Sequence, residues 1–168
     1  MPSVTVSSNA VTSNTINANR WFAQNGLRND TPLSSMADIT ISFDSPSIPS
    51  DATILGLELS IHGQGNGGNT PGIALNNGSS TSSNLTCNST WSKSDTTRTY
   101  GGSSNLWGLS WTPTTAANTT AIVDMSTIGT SRFFFDFVAL IVHYQEAGGD
   151  PIKITSGLVK LLDGKIII

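Results

Sequence analysis

Charge is what this sequence has least of. Only 11% of its 168 residues are Asp, Glu, Lys or Arg, against roughly 25% in an ordinary domain. The 8 basic residues do not gather: Arg20, Arg28, Lys93, Arg98 and Arg132 stand far apart, and Lys153, Lys160 and Lys165 form the one local group. A nucleic-acid face needs Lys and Arg concentrated on one side to displace counterions, so no nucleic-acid partner is expected. Cysteine is almost absent as well. Cys87 stands alone, so no disulfide within the chain can hold the fold, and stability has to come from a buried core or from partner subunits. Long apolar runs are missing too. The longest, Phe133 to Val142, is broken by Asp136 and falls short of the ~20 apolar residues of a spanning helix, so no membrane partner is expected. Met1-Pro2-Ser3-Val4-Thr5 has neither the basic region nor the apolar run of a secretory signal, which points to synthesis in a cytoplasm.

Ser, Thr and Asn replace the missing charge. Together they make up roughly a third of the chain, with 16 Gly besides, a strong departure from average usage. Ser, Asn and Gly favour turns, because their side chains bond the local backbone or permit positive φ. Thr favours strands, because its branched Cβ suits a pleated surface. The composition predicts strands and loops, not helices, and the length allows one domain with a terminal extension.

Hydrophobic alternation locates the strands. Asp38 to Phe43 puts Ile39, Ile41 and Phe43 on one face, and a Pro-rich turn over residues 45–51 ends it. Ile54 to His62 is the best-defined half-buried strand, with Leu55, Leu57, Leu59 and Ile61 on one face and Gly56, Glu58, Ser60 and His62 on the other. A long polar stretch from Gly63 to Thr90 reads as surface loops around one or two short strands, with Ile73-Ala74-Leu75 its one apolar interval. Thr97 to Tyr100 and Ala121 to Met125 are short strands, and Phe133 to Tyr144 reads as a central strand buried on both faces for much of its length. The pattern breaks at residues 146–151. Beyond it, Leu158-Val159-Lys160-Leu161-Leu162 and Lys165-Ile166-Ile167-Ile168 flank Asp163-Gly164, a strong hairpin signal because a type I′ turn needs positive φ at both central residues. We therefore expect an antiparallel β-sandwich over residues 1–145 and a linker with a β-hairpin arm over 146–168. An apolar strand of this kind is an aggregation hazard unless something covers it.

Sites for chemistry are sparse. His62 and His143 each end an apolar strand with no other His or Cys near in sequence, no zinc or calcium spacing exists, and no cofactor or metal is expected. No Ser lies in a Gly-x-Ser-x-Gly context, and Cys87 has no charged neighbour to activate it. Glu58 and Asp136 are the carboxylates worth weighing for glycoside hydrolysis, which needs two across a cleft; Asp136 fits a strand edge or a bond to backbone amides better. Gly63-Gln64-Gly65-Asn66-Gly67-Gly68 lacks the Gly-Lys-Ser/Thr ending of a phosphate loop and reads as a flexible hairpin tip. Trp107 and Trp111, four apart, are either plugs at the end of the sandwich or a platform for a sugar ring. The balance excludes an enzyme as the expected function and favours binding.

Three segments together resemble a known group. They are Ile48-Pro49-Ser50-Asp51-Ala52-Thr53-Ile54-Leu55-Gly56-Leu57-Glu58; Tyr100-Gly101-Gly102 with Leu106-Trp107-Gly108-Leu109-Ser110-Trp111-Thr112-Pro113; and Phe135 to Tyr144 as a closing strand. Their order is similar to that in β-sandwich virion structural proteins of tailed bacteriophages. The resemblance covers residues 38 to 145 and implies a jelly-roll-like sandwich and a structural place in a virion, without supplying catalytic residues. Because the chain reads as one compact domain with an apolar C-terminal arm, we expect a capsid decoration (cement) protein, a homotrimer bound to the major capsid protein or other virion proteins. The hairpin residues Leu158, Val159, Leu161, Leu162, Ile166, Ile167 and Ile168 are then the partner-binding set, suited to β-augmentation. The alternative is a tail- or fibre-associated receptor- or glycan-binding module.

Overall fold

The computed structural model describes residues 1–12, 38–65, 70–87, 91–124, 126, 133–147, 160–162 and 165–167. In chain order the elements are β1 (Ser3–Thr12), β2 (Ile39–Phe43), β3 (Thr53–Gly65), β4 (Gly72–Asn76), β5 (Thr96–Gly101), α1 (Pro113–Ala117), β6 (Thr120–Asp124), β7 (Phe133–Gln145), β8 (Lys160–Leu162) and β9 (Lys165–Ile167). The first seven strands form one antiparallel sheet in the order β4-β6-β2-β1-β7-β3-β5. That sheet curls on itself at β1. Residues Ser3 to Ser7 of β1 pair with β7, while Ser8 to Thr12 pair with β2, and the register shifts between Ser8 and Ala10. One strand thus serves two layers, a known way to turn the corner of a sandwich. The fold is all-β, an antiparallel sandwich, as the alternation predicts.

The layers close over a single core. Ile39, Ile41, Ile73, Leu75 and Val123 come from the β4-β6-β2 side, and Leu57, Leu59, Ile61, Phe133, Phe135 and Leu140 from the β7-β3 side. Trp91 lies edge-on to Phe133 at 5.9 Å between centroids and tilted over Phe135 at 5.3 Å, spacings in the attractive range for aromatic pairs. Its Nε1 donates to the Tyr100 hydroxyl at 3.4 Å, and burial pushes the Tyr100 phenol well above its ordinary pKa. Cys87 packs against this cluster, half-buried.

Several sequence expectations need correction. Leu55 does not share a face with Leu57, Leu59 and Ile61. A register shift between Ile54 and Gly56 sends Ile54 to the core and leaves Leu55 half-buried. Nor is β7 buried on both faces for much of its length, since on the outer face Ala139 is buried but its neighbours there are not. Its inward residues are Phe133 and Phe135, then Val138, Leu140, Val142 and Tyr144, while Phe134, Phe137, Ile141 and His143 are half-buried. The phase changes because β3 passes from His62 to Gly63 while β7 passes from Phe137 to Phe135, so Asp136 is the extra residue of a bulge. Two half-strands of opposite phase look like one continuous apolar run. Gly63 and Gly65 are buried within β3 and are not part of a hairpin tip; the rest of that glycine stretch, residues 66–68, lies outside the described residues. Strand β1 and helix α1 have no counterpart in the sequence reading. The helix forms because Thr112 and Thr115 make a reciprocal capping box ahead of Pro113.

The end of β6 carries one titratable tie. Asp124 accepts from the Ser126 hydroxyl at 2.6 Å, the Ser126 N–H at 2.9 Å and the Asn84 amide at 2.6 Å. These bonds, the Ser126 hydroxyl first, hold its carboxyl below the usual aspartate pKa. A depressed folded pKa means the added stability is present above the unfolded value and is lost as pH falls through the folded one. Acid titration below the ordinary aspartate range should therefore loosen this corner in the wild type, seen as faster amide exchange near Asn84. Asp124→Asn should show the loosened corner at neutral pH with no further change in acid; equal exchange profiles in the two proteins would refute the tie.

Candidate functional site

Ladder register defines the chemistry-bearing surface. On the outer face of the β1-β7-β3-β5 layer the residues stand in rows across neighbouring strands: Ser3 next to His143 and His143 next to Gly56; Thr5 next to Ile141 and Ile141 next to Glu58; Ser7, Ala139, Ser60 and Thr99 in succession; and Phe137, His62 and Thr97 in succession. Both histidines and Glu58 share this face. His143 Nε2 stands 3.7 Å from Glu58 Oε2, both side chains largely covered. His62 Nδ1 lies 3.1 Å from the Thr97 hydroxyl. Phe134, Phe137 and Ile141, half-buried, add apolar area along β7. Two shallow hollows sit at the ends of this layer: one of about 250 Å³ lined by Gln64, Gly65, Lys93 and Phe134, the other of about 260 Å³ lined by Met1, Pro2, Leu55, Tyr144 and Gln145. Both are smaller than typical small-molecule pockets.

Asp136 and Glu58 do not face each other across a cleft. Asp136 is buried at the bulge, five residues along β7 from Ile141, the ladder partner of Glu58, which is roughly 16 Å at strand rise and beyond the spacing of a glycosidase pair. Among the described residues no three His, Cys, Asp or Glu side chains gather as a metal site. Trp107 is 3% exposed and belongs to the core; its Nε1 donates to the Leu57 carbonyl at 2.8 Å. Its buried ring has no face open for stacking beside Trp111. Trp111 is half-buried against the core, its Nε1 donating to the Leu106 carbonyl at 2.8 Å. Of the hairpin set, Leu161, Leu162, Ile166 and Ile167 lie in the antiparallel β8–β9 ladder, with Leu161 opposite Ile166, while Leu158, Val159 and Ile168 lie outside the described residues. The His143–Glu58 approach is the feature that sequence reading misses. The two are 85 positions apart, and only the β3–β7 register brings them together.

The edges of the sandwich differ. The outer side of β4 is occupied: Ile73 exchanges backbone bonds with Leu85 at 2.9 and 2.7 Å, and the Leu75 carbonyl accepts from Ser82 N–H at 2.8 Å while its N–H donates to the Ser82 hydroxyl at 2.9 Å. The other edge is β5, which ends the strand order. Fold and surface thus define a β-sandwich with a mixed polar and apolar sheet face, one closed edge and a separate C-terminal ladder.

No family model and no curated protein matches the sequence. Among solved structures the chain is similar to the CBM35 from Cellvibrio japonicus Abf62, at a TM-score of 0.43 and 17% identity over 88% of this chain and 100% of that one.

Proposed function

We propose that this chain is a non-enzymatic structural protein of a bacteriophage virion. In this reading it is a decoration (cement) protein that sits on the head as a homo-oligomer, a trimer in the simplest case, bound to the major capsid protein or another virion protein. The observation that carries the reading is the β8–β9 ladder, which forms a sheet of its own beside the seven-stranded one. A lone two-stranded hairpin is marginally stable in water, and four of the six residues in this one are Leu or Ile. Such a ladder gains stability by joining a partner's sheet or surface, where backbone bonds fix its place. Weak contacts repeated over a symmetric shell then become strong through multivalency. The three-segment resemblance supplies the virion setting.

Removing residues 151–168 tests this. The truncated protein should keep its β-sheet circular dichroism and cooperative unfolding, yet fail to co-sediment with capsids that lack the native decoration. Full occupancy by the truncated protein would sink the assembly role of the hairpin. The alternative, a receptor- or glycan-binding module of a tail or fibre, draws on the outer face that carries His62, His143 and Glu58. Host-dependent cell binding, or retention on a glycan array, would decide for it.

A further inference from the structure

The open edge of β5 has a defined set of backbone groups. Leu57 N–H donates to the Asn105 carbonyl at 2.9 Å and its carbonyl accepts from Gly102 N–H at 3.1 Å, while eight residues on, Gly65 N–H donates to the Ser92 carbonyl at 2.8 Å. Both ends of β3 therefore turn the backbone groups of its odd-numbered residues towards the β5 side. The ladder partners of Leu59, Ile61 and Gly63 are Tyr100, Arg98 and Thr96, so these three bond to β3. Thr97 and Thr99, in the alternate phase, aim their N–H and C=O groups outward. Among the described residues no backbone bond reaches them. The β4 edge is closed by its own following segment, so the two ends of one sheet are treated oppositely. Arg98, on the core side of β5 opposite Ile61, keeps this edge from acting as a general apolar template. An exposed edge of this kind calls for a specific strand.

We propose that the β5 edge receives a strand of the β8–β9 hairpin from a second copy of this chain, extending the β1-β7-β3-β5 layer across the subunit boundary. Three observations point to this occupant. Within one chain the hairpin and β5 belong to different sheets. Residues 146–159, which join β7 to β8, can span roughly 45 Å at full extension, ample for reaching a neighbour. The hairpin strands are apolar in both alternation phases, Leu161-Leu162 and Ile166-Ile167, so a docked strand brings apolar residues both to the core side, next to Tyr100, and to the outer face. The proposal takes from the proposed function only that the hairpin is an assembly element.

A complementation experiment tests it. Thr99→Pro removes one outward N–H and leaves the β3 ladder intact, since proline is tolerated on an edge strand. Deletion of residues 158–168 removes the hairpin and leaves the edge. Light scattering after size exclusion should show association for the wild type, and each altered protein should dissociate at roughly tenfold or higher concentration than it. Mixed together, the two should form a heterodimer, because one retains the hairpin and the other the edge. Thr97→Pro replaces Thr99→Pro if the latter loses its β-sheet signal. A monomeric wild type, a Thr99→Pro protein that associates as the wild type does, or a mixture that stays monomeric overturns the proposal. Its failure is separable from that of the virion reading. Capsid binding that needs the hairpin but survives Thr99→Pro leaves only the virion reading standing, and a heterodimer whose wild-type parent ignores capsids leaves only the edge.

Discussion

Trp107→Ala should destabilise the sandwich by about 3–5 kcal/mol, the range for truncating a large buried aromatic. Trp107 follows β5 in a loop, yet its ring is 3% exposed and packs in the main core. Its backbone sits at φ 58°, a left-handed conformation that non-glycine residues seldom adopt. That conformation is held from both sides: its N–H donates to the Asn105 side chain at 2.8 Å, and its indole N–H donates to the Leu57 carbonyl at 2.8 Å. Loop and sheet are therefore tied through one side chain. For a chain of this length each kcal/mol shifts Tm by roughly 2–4 °C, so the alanine protein should melt about 10 °C lower. Trp107→Phe separates packing from hydrogen bonding. Phenylalanine keeps most of the ring, and the Leu57 carbonyl retains its bond from Gly102 N–H, so the loss should be nearer ~1 kcal/mol from the bond, plus a small cavity contribution. Chemical denaturation followed by far-UV circular dichroism reads both. An alanine protein within ~1 kcal/mol of the wild type would mean that the ring does not anchor the loop.

The strands that alternation reveals are those whose one face meets the core without interruption. Ile39, Ile41 and Phe43 read directly as β2, and Leu57, Leu59 and Ile61 as the middle of β3. Strand β1 is not legible. Val4 and Val6 are its inward residues, both half-buried, and Ser8 follows them into the interior, so there is no apolar triplet to see. Bulges hide more than weak alternation does. At Leu55 and at Asp136 one extra residue changes the phase, and a period-two reading carried through them assigns the wrong face. The Asp163-Gly164 hairpin signal is local, and the β8–β9 pairing follows it. The outer face with His143, Glu58 and His62 is not local at all. Each residue is visible on its own strand, but their sharing one face, and the approach of His143 to Glu58, depend on which strands are neighbours and in what register. The open and closed edges are equally invisible, because they depend on where residues 81–85 return beside β4.

Gly63→Ala is the substitution that bears most directly on the bulge. A Cβ at Gly63 would lie 2.3 Å from the Phe134 carbonyl oxygen and 3.0 Å from the Phe135 Cα. Both are backbone atoms of β7, so neither can swing aside as a side-chain tip could. The contact is this close because β7 spends three residues, Phe135 to Phe137, against Gly63 and His62 of β3, and the crowded backbone comes over the glycine. Making room means separating the two central strands beside Phe133, Phe135 and Trp91. Overpacking of a well-packed interior costs about 1–3 kcal/mol, occasionally more, and a clash with backbone belongs at the upper end. Gly78→Ala provides the comparison. Gly78 has φ 88° but nothing within 4 Å of its Cβ position, so alanine there meets only the left-handed penalty of roughly 1–2 kcal/mol. Gly63→Ala should therefore unfold at lower denaturant than Gly78→Ala, although Gly63 is the one whose backbone is ordinary. The reverse order would mean that β3 and β7 do not approach closely at the bulge, and that the glycines after Ile61 serve chain flexibility after all. The expected order makes Gly63 a packing residue, the point at which two strands of different phase are allowed to touch.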